Sequence, residues 1–598
     1  MSDPVKVLDG DEFQLVAELL RTASLARPLA PAIVAGDRQV SYAEFRGLVA
    51  SVSHRMAGAG VVPGDRVAVL CDRSPEVIAA FVACLSMGVC YVPIDVAQPA
   101  SRIREIVGRS AARVLLGTPE NWMDAGAPAL SLVGAEGADT WEVADFPASS
   151  AGYMIFTSGS TGRPKGVLIS QANLASYVPR AIDMYAIRQD DRVLQVASLG
   201  FDWSVSEILP TLAAGAALVL RSSETLTSAA HLAEEVERHG VTVVHLPTAV
   251  WHAIVPDLAE GSVDLPASVR HVTIGAESAS LAATRAWVSR FGDRVRLVNT
   301  YGPTECTVEA TYVDLAGPGS IDVFSRAVVP IGRPIPGCHV YVLDDHLAPV
   351  RQGASGRIFI GGRGVGQGYF RDPEETARRF VLDPFQSSGS TMYDTGDVGR
   401  WNEFGELEFV GRKDNQVKIS GFRVEIEEIE FNIAAHEAVK EVSVVADRAT
   451  STLSAFVVPR WNIGTGELRS WLGGRVPVHM VPTRFMFVEA LPRTVNDKVD
   501  RTALERLLPD SEPSLPVEPA TDVESRITEI WMKVLRLTSV DVTEDFFELG
   551  GHSLLAMRLV GQMSKQLGSR VELNDLFQAR TIRGLANLIR ERVGVREK

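Results

Sequence analysis

Four prolines stand within a dozen residues near the C-terminal end, Pro509, Pro513, Pro516 and Pro519. Proline lacks a backbone N–H and fixes φ, so this stretch can form neither a helix nor a central strand. It predicts an extended linker over 509–520 and divides the chain in two. The short part after it, 521–598, opens on Thr521-Asp522-Val523-Glu524, a helix-start capping box. Val523, Ile527, Trp531 and Val534 then fall on one helix face, and Ile582, Leu585, Leu588 and Ile589 on another. The tail is expected to be a small all-α four-helix bundle.

The 598 residues exceed what one core can hold, so three or four domains are expected. From about 11 to 413, short β-branched runs alternate with helical patterns. Arg66 to Leu70, Ala216 to Leu220, Val241 to Leu246 and Val340 to Leu343 read as strands, and Glu76 to Met87 reads as a helix. This alternation predicts a large layered α/β body. A smaller α+β unit follows over 414–508, after the charged turn Gly411 to Gln416.

The formal charge of −15 argues against nucleic acid as a partner, since phosphate contacts need a basic face. Five cysteines, an odd number without metal-ligand spacing, read as reduced thiols. No apolar run is long enough for a bilayer, and Met1 to Pro4 does not begin a signal peptide. A cytoplasmic protein without a membrane partner is expected.

Tyr153 to Phe156 is strand-like and leads into Thr157-Ser158-Gly159-Ser160-Thr161-Gly162-Arg163-Pro164-Lys165-Gly166. Glycines let N–H groups converge, hydroxyls add donors, and a lysine adds charge, which together suit an anion. The spacing is not that of the Gly-x4-Gly-Lys-Ser/Thr loop, and a polar surface turn is the plain alternative. In the tail, Leu549-Gly550-Gly551-His552-Ser553-Leu554-Leu555 sets a serine at the entry to an apolar helix. Free N–H groups there favour an anion, although a helix-capping serine is an ordinary role.

Further segments occur in a fixed order: Val40 to Phe45, Gly88 to Asp95, the phosphate loop, Phe201 to Ser204, Asn299 to Glu305, Tyr393 to Asp397, Gly411 to Asp414, Gly421 to Glu425 and Asn496 to Arg501. In this order the sequence resembles the adenylate-forming superfamily, specifically the adenylation domains of nonribosomal peptide synthetases. Its tail resembles a peptidyl carrier domain. The resemblance implies ATP and Mg²⁺ as cofactors and a 4'-phosphopantetheine arm on Ser553. It implies nucleotide contacts from Thr157, Ser158, Gly159, Ser160, Thr161, Gly162, Gly302 and Thr304. Thr161 and Lys165 would lie near the outgoing pyrophosphate. Tyr301 would stack on adenine beside Gly275, Ala276 and Glu277. Asp397 would accept from the ribose hydroxyls with Arg412 nearby, and Glu305 would help hold Mg²⁺. Lys498 would be the catalytic cation, Asp414 the hinge, and Gly421 part of the pantetheine passage. Two departures stand out: Arg357 where the family usually has glutamate, and Asp497 where glycine is common.

By the same resemblance, Asp202 would pair with a substrate α-ammonium, which favours an α-amino acid. Trp203, Ser206, His245, Thr273, Gly275, Thr300, Val308 and Glu309 would line the rest of the pocket. Trp203 is expected to shorten one wall. His245 and Glu309 would bind a polar or cationic side chain, or else satisfy each other. A hydrophilic amino acid is expected. The chain would thus be a freestanding adenylation–carrier didomain that activates an L-amino acid as aminoacyl-AMP and loads it onto itself. No His-His-x3-Asp-Gly or Gly-x-Ser-x-Gly motif is found. Expected partners are a phosphopantetheinyl transferase, an MbtH-like protein, and downstream tailoring or condensation enzymes. A degenerate scaffold and an acyl-CoA ligase are the alternatives; intact Lys498, Glu305 and Asp397 speak against the first, and Asp202 against the second.

Overall fold

A computed structural model of the chain describes residues 14–118, 125–133, 140–159, 162–386, 389–419, 421–447, 452–494, 499–508, 519–535, 537, 539–546, 549, 553–567, 571, 575–576 and 579–593. Contacts divide it into two units. The first comprises Met1–Ser158, Pro164–Ser222 and Ala233–Asn415; the second comprises Gly159–Arg163, Ser223–Leu232 and Gln416–Lys598.

The first unit owes its layers to segments that are apolar on every side. Helix Pro75–Ser86 buries eleven of its twelve residues, so it must be covered all round rather than along one stripe. Ser74 caps it by accepting from the Val77 N–H, and Pro75 opens it with a preset φ. Gly88 follows with φ +64°, where a Cβ would strike the Phe146 ring at 2.5 Å. Each large aliphatic or aromatic side chain buried in this way contributes roughly 1.5–3 kcal/mol.

In a nine-stranded sheet, Ala217–Leu220, Arg192–Gln195, Val243–Pro247, His271–Gly275 and Arg296–Tyr301 run parallel in that order. The antiparallel strand Thr311–Ala316 follows on the Arg296–Tyr301 side. A seven-stranded sheet contains the parallel strands Arg66–Cys71 and Cys90–Asp95 and the antiparallel hairpin Ala151–Thr157 with Lys165–Ser170. In a third, antiparallel sheet, Thr391–Trp401 lies between Gly356–Gly362 and Leu407–Arg412.

Among the described residues, the second unit holds three buried apolar clusters, two of them larger. Strands Val439–Asp447, Thr452–Pro459 and Arg484–Phe487 form a small sheet. Helix Ile426–Ala434 buries Ile429 and Ile433 in a core with Val444, Ala455 and Leu468. Further along, helices Asp522–Leu535, Ser553–Leu567 and Ile582–Val593 enclose Ile527, Trp531, Leu559 and Leu585. The helix start at Thr521 differs in one detail from a full capping box. Thr521 Oγ1 accepts from the Glu524 N–H, but the Glu524 carboxylate reaches back to the Ala520 N–H at 2.6 Å. Among the described residues no helix is long and apolar enough to cross a membrane. All five cysteines are buried free thiols.

Candidate active site

Strand register assembles the polar residues of the first unit. Thr157 pairs with Lys165 at the end of the hairpin, and the edge strand Gly368–Tyr369 adds alongside Val167 and Leu168. Lys165 Nζ therefore lies 4.9 Å over the Tyr369 ring and 3.2 Å from Glu375. The Tyr369 hydroxyl donates to Glu305 at 2.7 Å. The Lys165 side chain is only 2% exposed, and a buried ammonium requires a counter-charge. Glu375 supplies it, and Arg378 and Arg379 flank the same carboxylate. Burial pushes the Glu375 carboxyl up, but hydrogen bonds from Arg378 and the charge of Lys165 outweigh it and hold the group below its ordinary range. Thr157 Oγ1 is buried without a hydrogen-bond partner. Such orphaned hydroxyls are uncommon in native proteins, and this one suits a ligand oxygen. Gly162 takes φ +81°.

Asp397 and Arg412 are direct register partners in the third sheet. Arg412 Nη1 donates to Asp397 Oδ1, and the Tyr301 hydroxyl donates to Asp397 Oδ2 at 2.5 Å. Burial and the adjacent Asp397 carboxylate hold the Tyr301 phenol well above its ordinary range. A carboxylate accepts about four hydrogen bonds, so these two donors leave capacity for ribose hydroxyls. Arg412 also donates to Asp414 at 2.6 and 2.9 Å, and Arg379 approaches Asp414 at 3.4 Å. Glu305 is fully buried, a single carboxylate of the kind Mg²⁺ takes together with substrate phosphates.

The residues read as an amino-acid pocket also meet. Asp202 occupies the position before helix Trp203–Ala213, yet its side chain makes no cap bond and is 4% exposed. A helix-capping role for it is thereby excluded. His245 and Thr273 are neighbours in register. A Cβ on Gly275 would come within 2.8 Å of Thr300 Oγ1 and 3.5 Å of the Trp203 indole. The indole therefore lies across the glycine. Gly302 is equally constrained, since a Cβ there would meet the Val308 carbonyl at 2.4 Å. Ala276, Thr307 and Val308 all have left-handed φ, at 71°, 59° and 70°. Such strained non-glycine residues cluster at functional sites. Thr304 is buried in a short 3₁₀ turn, and Glu277 is half-buried.

One of the two alternatives for His245 and Glu309 is set aside. Glu309 and His245 do not satisfy each other. The Tyr177 and Tyr185 hydroxyls donate to Oε2 and Oε1 of Glu309, the second at 2.6 Å. Both nitrogens of His245 lack a partner. Tyr177, Tyr185, Tyr369 and Glu375 were not read from the sequence. The tyrosines on helix Gln171–Tyr185 look like core aromatics, and their partner lies more than a hundred residues away. The departure at Arg357 is accounted for, because Arg357 pairs with Asp394 at 2.8 Å. Ser160, Thr161, Asp497 and Lys498 lie outside the described residues, as do Gly550, Gly551 and His552. Ser553 is the first residue of its helix.

Sequence patterns of three families match the chain: AMP-binding enzyme over 20–370, AMP-binding enzyme C-terminal domain over 428–498, and phosphopantetheine attachment site over 525–589. Malpibaldin synthetase of Mortierella alpina is 37% identical over 593 residues, covering 96% of this chain and 10% of the relative. Phosphinothricin tripeptide synthetase PhsC of Streptomyces viridochromogenes is 36% identical, covering 96% of this chain and 52% of the relative. This chain thus spans only part of the length of these relatives. The fold matches holo-PA1221, described as a nonribosomal peptide synthetase protein containing adenylation and PCP domains, with a TM-score of 0.80, 26% identity and 97% coverage of both chains. The chain belongs to the AMP-binding, adenylate-forming enzyme family, as an adenylation domain joined to a phosphopantetheine carrier domain of the nonribosomal peptide synthetase type.

Proposed function

We propose that this protein activates an L-amino acid with a polar side chain as its aminoacyl adenylate and delivers it to its own carrier, in the assembly of a peptide natural product. The carrying observation is Asp202, a buried carboxylate that begins a helix without capping it. A carboxylate so placed is suited to a substrate ammonium and would be wasted on an aryl or fatty acid.

The substrate carboxylate is already ionised near neutral pH, so no general base is required. One of its oxygens forms a bond to the α-phosphorus of ATP while the bond to the pyrophosphate oxygen breaks. The obstacle is repulsion between anions, and positioned cations and donors lower it. Lys165 and Thr161 serve the departing pyrophosphate, and the unpartnered Thr157 hydroxyl is a further donor to the nucleotide. Tyr301, Asp397 and Arg412 hold the nucleoside, Lys498 carries the cationic role, and Asp414 is the hinge. Glu305 would hold Mg²⁺, which when bound offsets phosphate charge. The phosphopantetheine arm on Ser553 would supply the thiol that receives the acyl group as AMP departs. A phosphopantetheinyl transferase must install that arm, and an MbtH-like protein and downstream tailoring or condensation enzymes are the further partners.

The test is intact-protein mass spectrometry of the primed full chain given ATP, Mg²⁺ and single amino acids. A mass gain of one aminoacyl group, lost in Ser553→Ala, is expected. A gain that persists in Ser553→Ala rejects the assigned attachment point, and no gain with any amino acid rejects self-loading.

A further inference from the structure

We infer that the pocket selects an amino acid whose side chain is neutral and both donates and accepts hydrogen bonds, such as a hydroxyl or carboxamide, and that Tyr177 and Tyr185 set this choice by occupying the oxygens of Glu309. This inference rests on the proposed adenylation of an amino acid and narrows its substrate class.

Glu309 is the residue that would otherwise call for a cationic substrate. It is 3% exposed, and each of its oxygens already receives a tyrosine hydroxyl. Tyr177 and Tyr185 are themselves buried on helix Gln171–Tyr185. Burial raises the Glu309 carboxyl to about 7, only partly offset by the two tyrosines, and the nearby Asp202 pushes the same way. A lysine-like ammonium brought here would meet a carboxyl that shares its charge with two tyrosine donors and is only partly ionised near neutral pH. An ammonium buried without a committed counter-ion is strongly disfavoured.

His245 points to what the pocket accepts instead. It is 1% exposed, and neither ring nitrogen has a partner. Its ring packs edge-on against Tyr185 with centroids 4.5 Å apart, and the Trp203 ring centroid lies 6.5 Å away. Burial lowers its pKa to about 3, so the imidazole is neutral. A neutral imidazole presents one donor and one acceptor, and each unmet buried group costs about 1–3 kcal/mol. The Trp203 Nε1 donor is likewise buried and unpartnered. Thr273 is not in the same position, since its hydroxyl already meets His271 Nε2 at 2.8 Å. A hydroxyl or carboxamide can serve both an imidazole acceptor and an imidazole donor. A carboxylate side chain would add a negative charge beside Asp202, with no charged histidine to offset it.

The experiment is ATP–pyrophosphate exchange by the full chain with three groups of amino acids. Serine, threonine, asparagine and glutamine form the first; ornithine, lysine, arginine, aspartate and glutamate the second; alanine, valine and leucine the third. The best substrate is expected in the first group, exceeding every charged amino acid by about tenfold or more. His245→Phe should lower kcat/KM for that substrate by at least about tenfold. The double variant Tyr177→Phe/Tyr185→Phe, which frees both oxygens of Glu309 but lets its pKa rise further, should raise the ratio of ornithine to best-substrate exchange most at high pH, where the carboxyl ionises. A charged or apolar amino acid preferred by the unaltered protein overturns the inference while leaving adenylation intact. Exchange with no amino acid at all overturns the adenylation reading and the inference with it. The comparison within the unaltered protein decides the matter even where a variant fails to fold.

Discussion

Lys165 in the phosphate loop already has a partner before any nucleotide arrives, and this has a measurable consequence. Glu375 lies 3.2 Å from its ammonium, with side-chain exposures of 2% for the lysine and 11% for the glutamate. If Lys165 serves the pyrophosphate, ATP must draw it away from Glu375. The variant Glu375→Gln keeps an amide oxygen that accepts from the lysine but removes the negative charge. Breaking a buried ion pair outright costs about 3–5 kcal/mol; with the amide still accepting, the loss falls to about 1–3 kcal/mol. That loss belongs to the nucleotide-free protein. In the ATP complex the phosphates replace Glu375 as partner, so much of it disappears. The variant should therefore melt lower than the parent without ATP, and its ATP-induced rise in Tm should be larger. Its Kd for a non-hydrolysable ATP analogue should fall by up to about tenfold, equivalent to 1.4 kcal/mol. Thermal-shift assays and calorimetric titration with Mg²⁺ present measure both quantities. Weaker binding of the analogue by Glu375→Gln would refute the reasoning, because Glu375 would then be positioning the lysine rather than competing for it.

Three further outcomes are expected. Tyr301→Phe removes the 2.5 Å hydrogen bond to Asp397 and should cost about 1.5–3 kcal/mol in urea denaturation; an unchanged midpoint would contradict that bond. Gly275→Ala forces a Cβ to within 2.8 Å of Thr300 Oγ1, so it should destabilise by about 1–3 kcal/mol and depress exchange; a variant with full activity would show that the strand gives way there. Glu207 and Glu309 are both pushed up to about 7, chiefly by burial, from an ordinary value of 4.5. The folded state then binds more protons than the unfolded state between those values, so stability falls as pH rises from about 4.5 to 7. Glu309→Gln should flatten part of that slope in denaturation followed across the window, and an unchanged slope would reject the assignment.

Much of this organisation is legible in the residues themselves. The run Arg66 to Leu70 and the helix after it are apolar enough, and of the right lengths, to give their elements directly. The pairing of Asp397 with Arg412 could not be read that way, because it depends on the register of two antiparallel strands. The partners of the buried charges were hidden for a related reason. Glu375 sits in a charged stretch with Glu374, Arg378 and Arg379 that reads as a solvated helix face, and only the fold brings Lys165 to it. Tyr177 and Tyr185 fit the apolar face of their own helix, so nothing local marks them as donors to Glu309. The resemblance marks His245 and Glu309 as polar pocket residues, but which of them is already satisfied depends on a third element. Local pattern gives elements and ordered motifs; the state of each buried polar group comes from side chains distant in sequence.

The central claim, that the chain makes an aminoacyl adenylate at this site, is tested most directly by amino-acid-dependent exchange of labelled pyrophosphate into ATP, comparing the purified chain with its Lys498→Ala variant. The account predicts exchange that requires one amino acid or a narrow set, persists in Ser553→Ala, and is largely lost in Lys498→Ala. Label incorporation that is absent with every amino acid, or undiminished without Lys498, would contradict it.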